Sequence, residues 1–287
     1  MKVKTIKSVI AKKLNEWLES ITDPVVKELA KQNTIVTGGC IASMLLKEEV
    51  NDFDLYFRTR EATLAVAVYY VNQFNTNRGD DQKAKVDGRL EDRVTIYVAS
   101  NGVTGDTPDA LDDEDAKVAA EPEASKEEKE EAKKYKPIFL STNAITLSGK
   151  LQIVCRFSGE PDAIHENYDF VHCMNYYTAW DSQLVLRPKS LEALLSRELV
   201  YIGSKYPVCS LIRTRKFIKR GWTINAGQYV KMAYQVSHLD LDDIEVLRDQ
   251  LTGVDSAYFE QVIRLLQESG SGRVDGTYLF ELIDRIF

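Results

Sequence analysis

Two glycines followed by two aspartates form the pattern in this chain that is most typical of a ligand-binding or catalytic site. Gly38 and Gly39 follow the β-rich run Thr34–Thr37, and twelve residues separate Gly39 from Asp52. Glycines at a strand end let the main chain approach a phosphate closely, and the N–H groups that open a following helix point at it. The turn is therefore a predicted site for a phosphorylated ligand.

The two aspartates stand two positions apart in a run that alternates polar and apolar residues, Asp52–Phe57. In a strand, residues two apart share a face, so Asp52 and Asp54 are predicted to lie side by side. Two neighbouring carboxylates repel each other unless a cation neutralises them, and oxygen ligands suit Mg²⁺ or Mn²⁺. A phosphate site next to a carboxylate pair is typical of two-metal phosphoryl or nucleotidyl transfer.

Hydrophobic periodicity and turn residues predict the helices and strands around these residues. Helices are predicted over residues 6–21, 24–32, 40–48 and 59–75, and strands over 34–37, 52–57, 94–99, 138–140, 144–147, 151–157 and 168–177. Ser148–Gly149 is a predicted hairpin turn. Six further helices are predicted over residues 190–202, 207–220, 226–237, 241–251, 256–268 and 276–287.

These elements predict an α+β fold in two parts. Residues 1–187 form a mixed sheet with helices, and residues 188–287 form an all-helical domain. An acidic segment, residues 101–136, lies between two of the strands, with 12 acidic and 6 basic residues and no aromatic residue before Tyr135. Because this composition cannot bury a core, the segment is predicted to be a solvated, mobile insertion.

A basic stretch follows the sheet region. Residues 183–235 contain 10 basic residues against two acidic ones, which indicates an anionic ligand. On a helix, Arg213, Lys216 and Arg220 share one face, and aromatic residues lie nearby in the sequence. This pattern suits a triphosphate with a stacked base, or a stretch of RNA. The alternative is a solvated basic helix that rests on the acidic C-terminal helices.

The cysteine and histidine content indicates neither zinc nor a disulfide framework. The four cysteines lie far apart, and the three histidines form no HExxH motif, so reduced, buried thiols are expected. The chain has no run of ~20 apolar residues that would span a bilayer, and its N-terminus does not resemble a signal peptide. We expect a cytoplasmic protein with no membrane partner.

The glycine and aspartate motifs together resemble the polymerase-β-like nucleotidyltransferase superfamily. The matching residues are Val36-Thr37-Gly38-Gly39 and, after a helix-length spacer, Asp52-Phe53-Asp54-Leu55. The match covers about twenty residues closely, and the strand-rich region and helical domain fit it loosely. The block Ile153–Tyr229 is also similar to uncharacterised bacteriophage proteins of this superfamily, which would place the protein in the host cytoplasm.

The resemblance implies metal-dependent transfer of a nucleoside monophosphate from a triphosphate, ATP included, to a hydroxyl acceptor. RNA and tRNA are among the acceptors it allows. It assigns Mg²⁺ or Mn²⁺ to Asp52 and Asp54, with Asp169 assisting and accepting the acceptor's proton. The triphosphate is assigned to Gly38, Gly39 and Ser43 at the turn, and its charge to Lys216 and Arg220.

Two departures from the family pattern bear on activity more than on fold. Cys40 follows the second glycine where the family often has a hydroxyl, which leaves Ser43 as the nearest one. The family also uses a third carboxylate on a neighbouring strand, and the hairpin that would carry it has Gln152. The next candidate is Asp169, in the run Tyr168-Asp169-Phe170, which either completes the triad or faces water.

Two rival functions follow. In the first, the fold is catalytically degenerate and acts as a nucleotide-binding protein or as a structural or assembly protein of a phage; Gln152 favours this hypothesis. In the second, the basic stretch makes the chain an RNA-binding module. Metal-dependent turnover separates the enzyme hypothesis from both rivals.

Overall fold

The computed structural model describes residues 1–76, 78–79, 83–89, 93–97 and 135–251. Within them the chain is mixed α and β, as the sequence predicts. The helices are α1 (Val3–Ser20), α2 (Pro24–Asn33), α3 (Gly39–Leu46), α4 (Arg60–Asn75), α5 (Pro161–His165), α6 (Pro188–Ser196), α7 (Pro207–Lys219), α8 (Ala226–Val236) and α9 (Ile244–Leu251). The strands are β1 (Thr34–Thr37), β2 (Phe53–Phe57), β3 (Lys85–Asp87), β4 (Thr95–Tyr97), β5 (Pro137–Leu140), β6 (Ala144–Leu147), β7 (Leu151–Ser158), β8 (Tyr176–Thr178) and β9 (Gln183–Val185).

Seven strands form one mixed sheet in the order β5-β6-β7-β2-β1-β8-β9. β2 and β7 pair in parallel, and the other neighbours pair antiparallel. β3 and β4 form a separate antiparallel pair. β1 and β2 occupy the inner positions of the sheet, so the two motifs that flank α3 are held by hydrogen-bonded strands on both sides.

One face of the sheet carries the apolar core. Phe53, Leu55 and Phe57 of β2 are buried there, in one cluster with residues of α1, α3 and α4. Each such side chain contributes roughly 1.5–3 kcal/mol through burial. The indole N–H of Trp17 donates to Tyr70 OH at 2.8 Å, which ties α1 to α4 inside this core.

The predicted helix starts are confirmed where a side chain caps the helix. Asp23 Oδ1 accepts from the main-chain N–H of Val25 and Val26 at 2.8 and 3.1 Å, so α2 begins at Pro24. Thr59 Oγ1 accepts from Ala62 N at 3.3 Å and begins α4. A capping side chain satisfies N–H groups that have no partner within the helix.

The chain divides into two compact units at Arg187–Pro188, with one exchange. The first unit contains residues 1–165 and 173–187, and the second contains residues 166–172 together with the chain from Pro188 on. The second unit is helical, and its core includes the ring cluster Phe170, His172, Phe217 and Trp222.

The predicted strand over residues 168–177 is wrong for most of its length. Only Tyr176–Thr178 is a strand, and Val171–Cys173 forms a 3-10 turn. Strands β3 and β9, three residues each, were not predicted from the sequence. The predicted helix over residues 190–202 ends at Ser196.

Several predictions fall partly or wholly outside the described residues. The helices over 256–268 and 276–287 do, as does the acidic insertion up to residue 134. Tyr135, at the end of that segment, is buried in the core of the first unit, and its hydroxyl donates to Glu16 at 3.1 Å.

All four cysteines are free thiols, and three of them are buried, as predicted; Cys173 is half-buried. None of the helices in the described part of the chain combines the length and apolarity that a membrane crossing requires.

Candidate active site

The Gly38–Gly39 turn joins β1 to α3. Gly38 has φ 89° and ψ −151°, a main-chain conformation that side chains with a Cβ rarely adopt. Its position as N-cap leaves the first N–H groups of α3 without a capping side chain. A Cβ added at Gly39 would meet no atom within 4 Å, so the space beside this residue is open. Gly38 is buried and Gly39 is exposed, so the turn presents its main chain at Gly39, at the positive end of a helix.

The carboxylate pair lies on the strand next to this turn. In the antiparallel pairing of β1 and β2, Thr37 is directly opposite Asp54. Asp54 is half-buried and Asp52, just before the strand, is exposed. Opposite residues on neighbouring strands share a face, so Asp54 lies beside the glycine turn, where β1 ends and β2 begins.

The residue on the other side of Asp54 is Gln152. β2 and β7 pair in parallel with Asp54 opposite Gln152, and Gln152 is in turn opposite Thr146 of β6. An amide at this position offers one oxygen ligand but brings no negative charge and cannot accept a proton as a base.

Lys150 fixes the loop that leads into Asp52. Its carbonyl oxygen accepts from Phe53 N at 2.9 Å, and its ammonium donates to Glu49 at 2.9 Å and to the carbonyl of Val50 at 3.3 Å. The charge-assisted bond from Lys150 lowers the pKa of the Glu49 carboxyl. This lysine could not be predicted from the sequence, since only the β2–β7 pairing brings it to the loop.

The electrostatics of the site are negative. Burial raises the pKa of the Cys40 thiol well above its usual value, and the charges of Asp54 and Asp52 raise it further. Cys40 is therefore a neutral thiol and not a nucleophile. Cys40 lies in the first turn of α3, and the two negative charges that raise its pKa would also attract a cation.

The donor set fits a divalent cation that arrives with a phosphate ligand. Asp52 and Asp54 supply carboxylates, while no group of three or more His, Cys, Asp or Glu side chains stands ready to hold a metal in the part of the chain that the structure describes. Mg²⁺ is usually bound by one or two carboxylates, with water and substrate phosphate completing its shell. The pair therefore suits a metal–triphosphate complex better than a permanently held ion.

The remaining predicted residues are distributed between the two units. Ser43, in the second turn of α3, is half-buried in the first unit. Asp169, Lys216 and Arg220 belong to the second unit. There Asp169, with a side chain 15% exposed, accepts from Arg213 Nη1 at 2.8 Å. Lys216 is half-buried on α7, and Arg220 is exposed just after that helix. The roles predicted for these residues stay predictions.

The contact between Thr37 and His165 at this site was not predicted from the sequence, although Thr37 belongs to the glycine motif. The hydroxyl of Thr37 lies 2.8 Å from Nε2 of His165, and both side chains are buried. The position of Thr37 directly before the two glycines was a signal for this residue. Nothing in the sequence pointed to His165, which lies 128 positions away.

The sequence matches the model of the Gabija anti-defense 2 family over residues 8–197. A curated relative from Bacillus phage SPbetaL7, named Gabija anti-defense 2, is 20% identical over 242 residues. The alignment covers 84% of this chain and 46% of that protein, so the chain spans about half the length of the relative.

Among solved structures, the chain is similar to CCA-adding enzymes. For the Thermotoga maritima enzyme complexed with tRNA the TM-score is 0.41 at 14% identity, covering 88% of this chain and 53% of that one. For the Bacillus stearothermophilus enzyme in complex with CTP the TM-score is 0.39 at 11% identity, covering 83% and 48%.

Proposed function

Because the chain belongs to the Gabija anti-defense 2 family, we propose that it counters a Gabija defence by acting on a nucleoside triphosphate. In this proposal it binds the triphosphate with a divalent cation and transfers the nucleoside monophosphate to a hydroxyl acceptor. The observation that carries the proposal is the pairing of Thr37 with Asp54, which sets the Gly38–Gly39 turn beside the carboxylate pair.

Different residues of the site bind the triphosphate and the cation. The N–H groups at the start of α3, where the N-cap residue Gly38 has no capping side chain, hold phosphate oxygens, and the open space beside Gly39 admits them. Asp52 and Asp54 hold the cation, which when bound neutralises the triphosphate and the departing pyrophosphate. Phosphates held at the turn and a cation held at the carboxylates would position the reacting groups, and positioning supplies most of the rate enhancement of such transfers.

The reaction exchanges one phosphoester bond for another. The acceptor oxygen forms a bond to the α-phosphorus, the bond from that phosphorus to the bridging oxygen breaks, and pyrophosphate leaves. The acceptor hydroxyl loses its proton to a carboxylate or to solvent. We assign this role to Asp169, as the resemblance implies, although its ion pair with Arg213 competes with it.

A second candidate function is nucleotide binding without transfer. The observation in its favour is Gln152, because the strand position directly beside Asp54 carries an amide and not a carboxylate. A site with two carboxylates still binds a metal–triphosphate complex, and the protein would then act by sequestering a nucleotide or by changing shape around it.

The acceptor is proposed to be RNA, tRNA included. In the second unit, α7 and the residue after it carry Arg213, Arg215, Lys216, Lys219 and Arg220, and α8 exposes Tyr229 and Tyr234. Cations beside exposed rings suit a nucleic acid backbone and its bases. Salt-sensitive RNA binding that survives loss of Asp52 and Asp54 would favour a separate RNA-binding role.

Transfer is tested with the purified full chain, each α-labelled nucleoside triphosphate, Mg²⁺ or Mn²⁺, and total cell RNA. We expect label in RNA and release of pyrophosphate, both lost on adding a chelator. Asp52→Asn with Asp54→Asn should abolish both products while the thermal midpoint stays equal or rises, because removing adjacent like charges relieves repulsion.

The matched control for two lost charges is Asp242→Asn with Glu245→Gln, two exposed acids of the second unit. It should transfer label as the unsubstituted chain does. Equal activity in the Asp52 and Asp54 double variant would end the nucleotidyltransferase proposal. Metal-dependent triphosphate binding without any transfer to RNA, protein or small-molecule hydroxyls would favour the binding function.

The biological role is tested separately, by expressing the chain in bacteria that carry Gabija and counting phage plaques. We expect restored plaques with the unsubstituted chain and with the control variant, but not with the Asp52 and Asp54 double variant. Restored plaques with the double variant would show that counter-defence does not need this site.

A further inference from the structure

The last residue of β1, Thr37, has a fully buried hydroxyl with three polar neighbours. Its Oγ1 lies 2.9 Å from the carbonyl oxygen of Asn175, 3.3 Å from that of Cys173 and 2.8 Å from Nε2 of His165. Carbonyl oxygens only accept hydrogen bonds, and a hydroxyl has one proton to donate. Thr37 therefore donates to the carbonyls and accepts from His165, which must carry a proton on Nε2.

His165 is held in place for this bond. It is the last residue of α5 and is 1% exposed. The ring of Tyr176 lies 5.7 Å from the imidazole, and Tyr176 is also directly opposite Thr37 in the β1–β8 pairing. Tyr176 thus contacts the imidazole of His165 and also pairs with Thr37 on β1.

The hydroxyl of Thr37 shares an acceptor with the glycine turn. The carbonyl oxygen of Cys173 accepts from Gly38 N at 3.1 Å, beside its contact with Thr37 Oγ1. Thr37 also stands opposite Asp54. A shift of Thr37 would therefore move the turn that faces the phosphates and, through the strand pairing, the carboxylate that faces the cation.

Apolar packing does not explain a hydroxyl at this position. Valine has nearly the volume of threonine, and Ile35 and Val36, the preceding residues of β1, are apolar and buried. Burying a hydroxyl costs free energy unless its hydrogen bonds are replaced. The hydroxyl fixes the main chain where the strand ends, because it accepts from His165 and shares its one proton between the carbonyls of Asn175 and Cys173.

We propose that Thr37 and His165 are a positioning pair that holds the Gly38–Gly39 main chain in the conformation that receives the triphosphate. The proposal rests on the proposed function for the identity of the ligand. Neither side chain touches the ligand; His165 acts on Thr37, and Thr37 acts on the turn.

The same strand supplies a matched control. Thr34, at the other end of β1, is also fully buried, and its hydroxyl donates to the carbonyl of Ala30 at 2.6 Å. Thr34→Val and Thr37→Val thus remove the same group from the same strand, and only Thr37 lies at the turn. A general cost in stability should appear in both variants, and a positioning effect in Thr37→Val alone.

The first readout is affinity for a fluorescent nucleoside triphosphate with Mg²⁺, and KM where turnover is present. Thr37→Val should weaken binding about 10-fold, the effect of one well-placed hydrogen bond, and raise KM more than it lowers kcat. Thr34→Val should bind within about 2-fold of the unsubstituted chain, and Thr37→Ser, which keeps the hydroxyl, should restore binding. His165→Leu should match Thr37→Val, and the double variant should be no weaker than either, because the two residues act through one bond.

The second readout needs no nucleotide. Amide hydrogen exchange of the peptide containing Gly38 and Gly39 should become faster in Thr37→Val and His165→Leu, but not in Thr34→Val or Thr37→Ser. If the unsubstituted chain binds no triphosphate, the proposed function fails, and the exchange rates still decide whether the pair holds the turn.

Equal exchange at the turn in Thr37→Val and the unsubstituted chain would overturn the proposal. So would unchanged triphosphate affinity in Thr37→Val, or an equal loss of affinity in Thr34→Val. Should Thr37→Val fail to fold, His165→Leu and Thr37→Ser carry the same comparison.

Discussion

The two glycines of the turn have different roles. Gly38 is required by its own main chain, because its φ of 89° strains any residue with a Cβ. Gly39 has no such requirement, since it is the first residue of α3 and a Cβ there would meet no atom within 4 Å. The open space beside Gly39 is therefore available to a ligand.

Gly39→Ala should keep or raise the free energy of unfolding, since alanine gains roughly 0.5–1 kcal/mol over glycine in a helix. The same change should weaken binding of a triphosphate with Mg²⁺ at least ~10-fold, because the methyl group occupies space that the phosphates need. Thermal unfolding and fluorescence titration measure the two effects.

Gly38→Ala is the comparison, and it should lower stability as well as affinity because of its positive φ. If Gly39→Ala binds the triphosphate as tightly as the unsubstituted chain, the phosphates do not approach α3 at this point.

At the scale of elements, the sheet decides which residues stand beside Asp54. The parallel pairing of β2 with β7 puts Gln152 there, whereas Asp169 lies in the second unit and is ion-paired with Arg213. Whether Asp169 acts as the third carboxylate therefore distinguishes nucleotidyl transfer from nucleotide binding without transfer.

Asp169→Ala should lower the transfer rate at least ~100-fold, the scale for loss of a positioned general base, and Gln152→Ala should be much milder. Single-turnover rates at saturating triphosphate measure this order. Asp169→Ala also leaves Arg213 without its partner, so the thermal midpoint of each variant must be measured to separate a catalytic loss from destabilisation.

A large loss of activity in Gln152→Ala with full activity in Asp169→Ala would show that Gln152 on β7, and not Asp169, supports transfer. Equal and small effects of both changes would support nucleotide binding without transfer.

At the scale of the whole molecule, each unit contains one buried histidine. Burial lowers the pKa of His165 in the first unit and of His172 in the second to about 4. The charge of Arg187 lowers the pKa of His165 further, and Asp162 opposes it; Asp169 opposes the shift at His172. In the unfolded chain a histidine has a pKa of ~6.5. As the pH falls, histidines of the unfolded chain therefore bind protons at a higher pH than the two buried ones of the folded chain.

The stability that the two neutral imidazoles contribute is complete above pH ~6.5 and is lost as the pH falls toward about 4. We expect the free energy of unfolding to be level from pH 8 to 7. It should then fall by at most ~1.4 kcal/mol per pH unit for each histidine. Denaturant titrations across this range measure the slope.

His172→Leu should flatten the slope, because it removes one of the two buried imidazoles. A level stability from pH 6.5 to 4 in the unsubstituted chain would show that these histidines are not held neutral.

The elements whose causes are local were predictable from the sequence alone. The caps Asp23 and Thr59 begin helices where predicted, and the alternation in β2 puts Phe53 and Leu55 in the core and Asp54 on the other face. These features depend on residues a few positions apart, which a pattern can represent. The glycine turn, the helix after it and the carboxylate strand were predictable for this reason.

The neighbours of the glycine turn and of Asp54 are set by the tertiary fold and could not be predicted from the sequence. The run 168–177 has strand composition, yet it turns at Val171, whose N–H donates to Val200, and at Cys173, whose carbonyl accepts from Gly38. The contact between Thr37 and His165 and the position of Gln152 beside Asp54 likewise join residues about 100 or more positions apart. Such neighbours are set by strand order and register, which depend on long-range hydrogen bonds and core packing that no local pattern encodes.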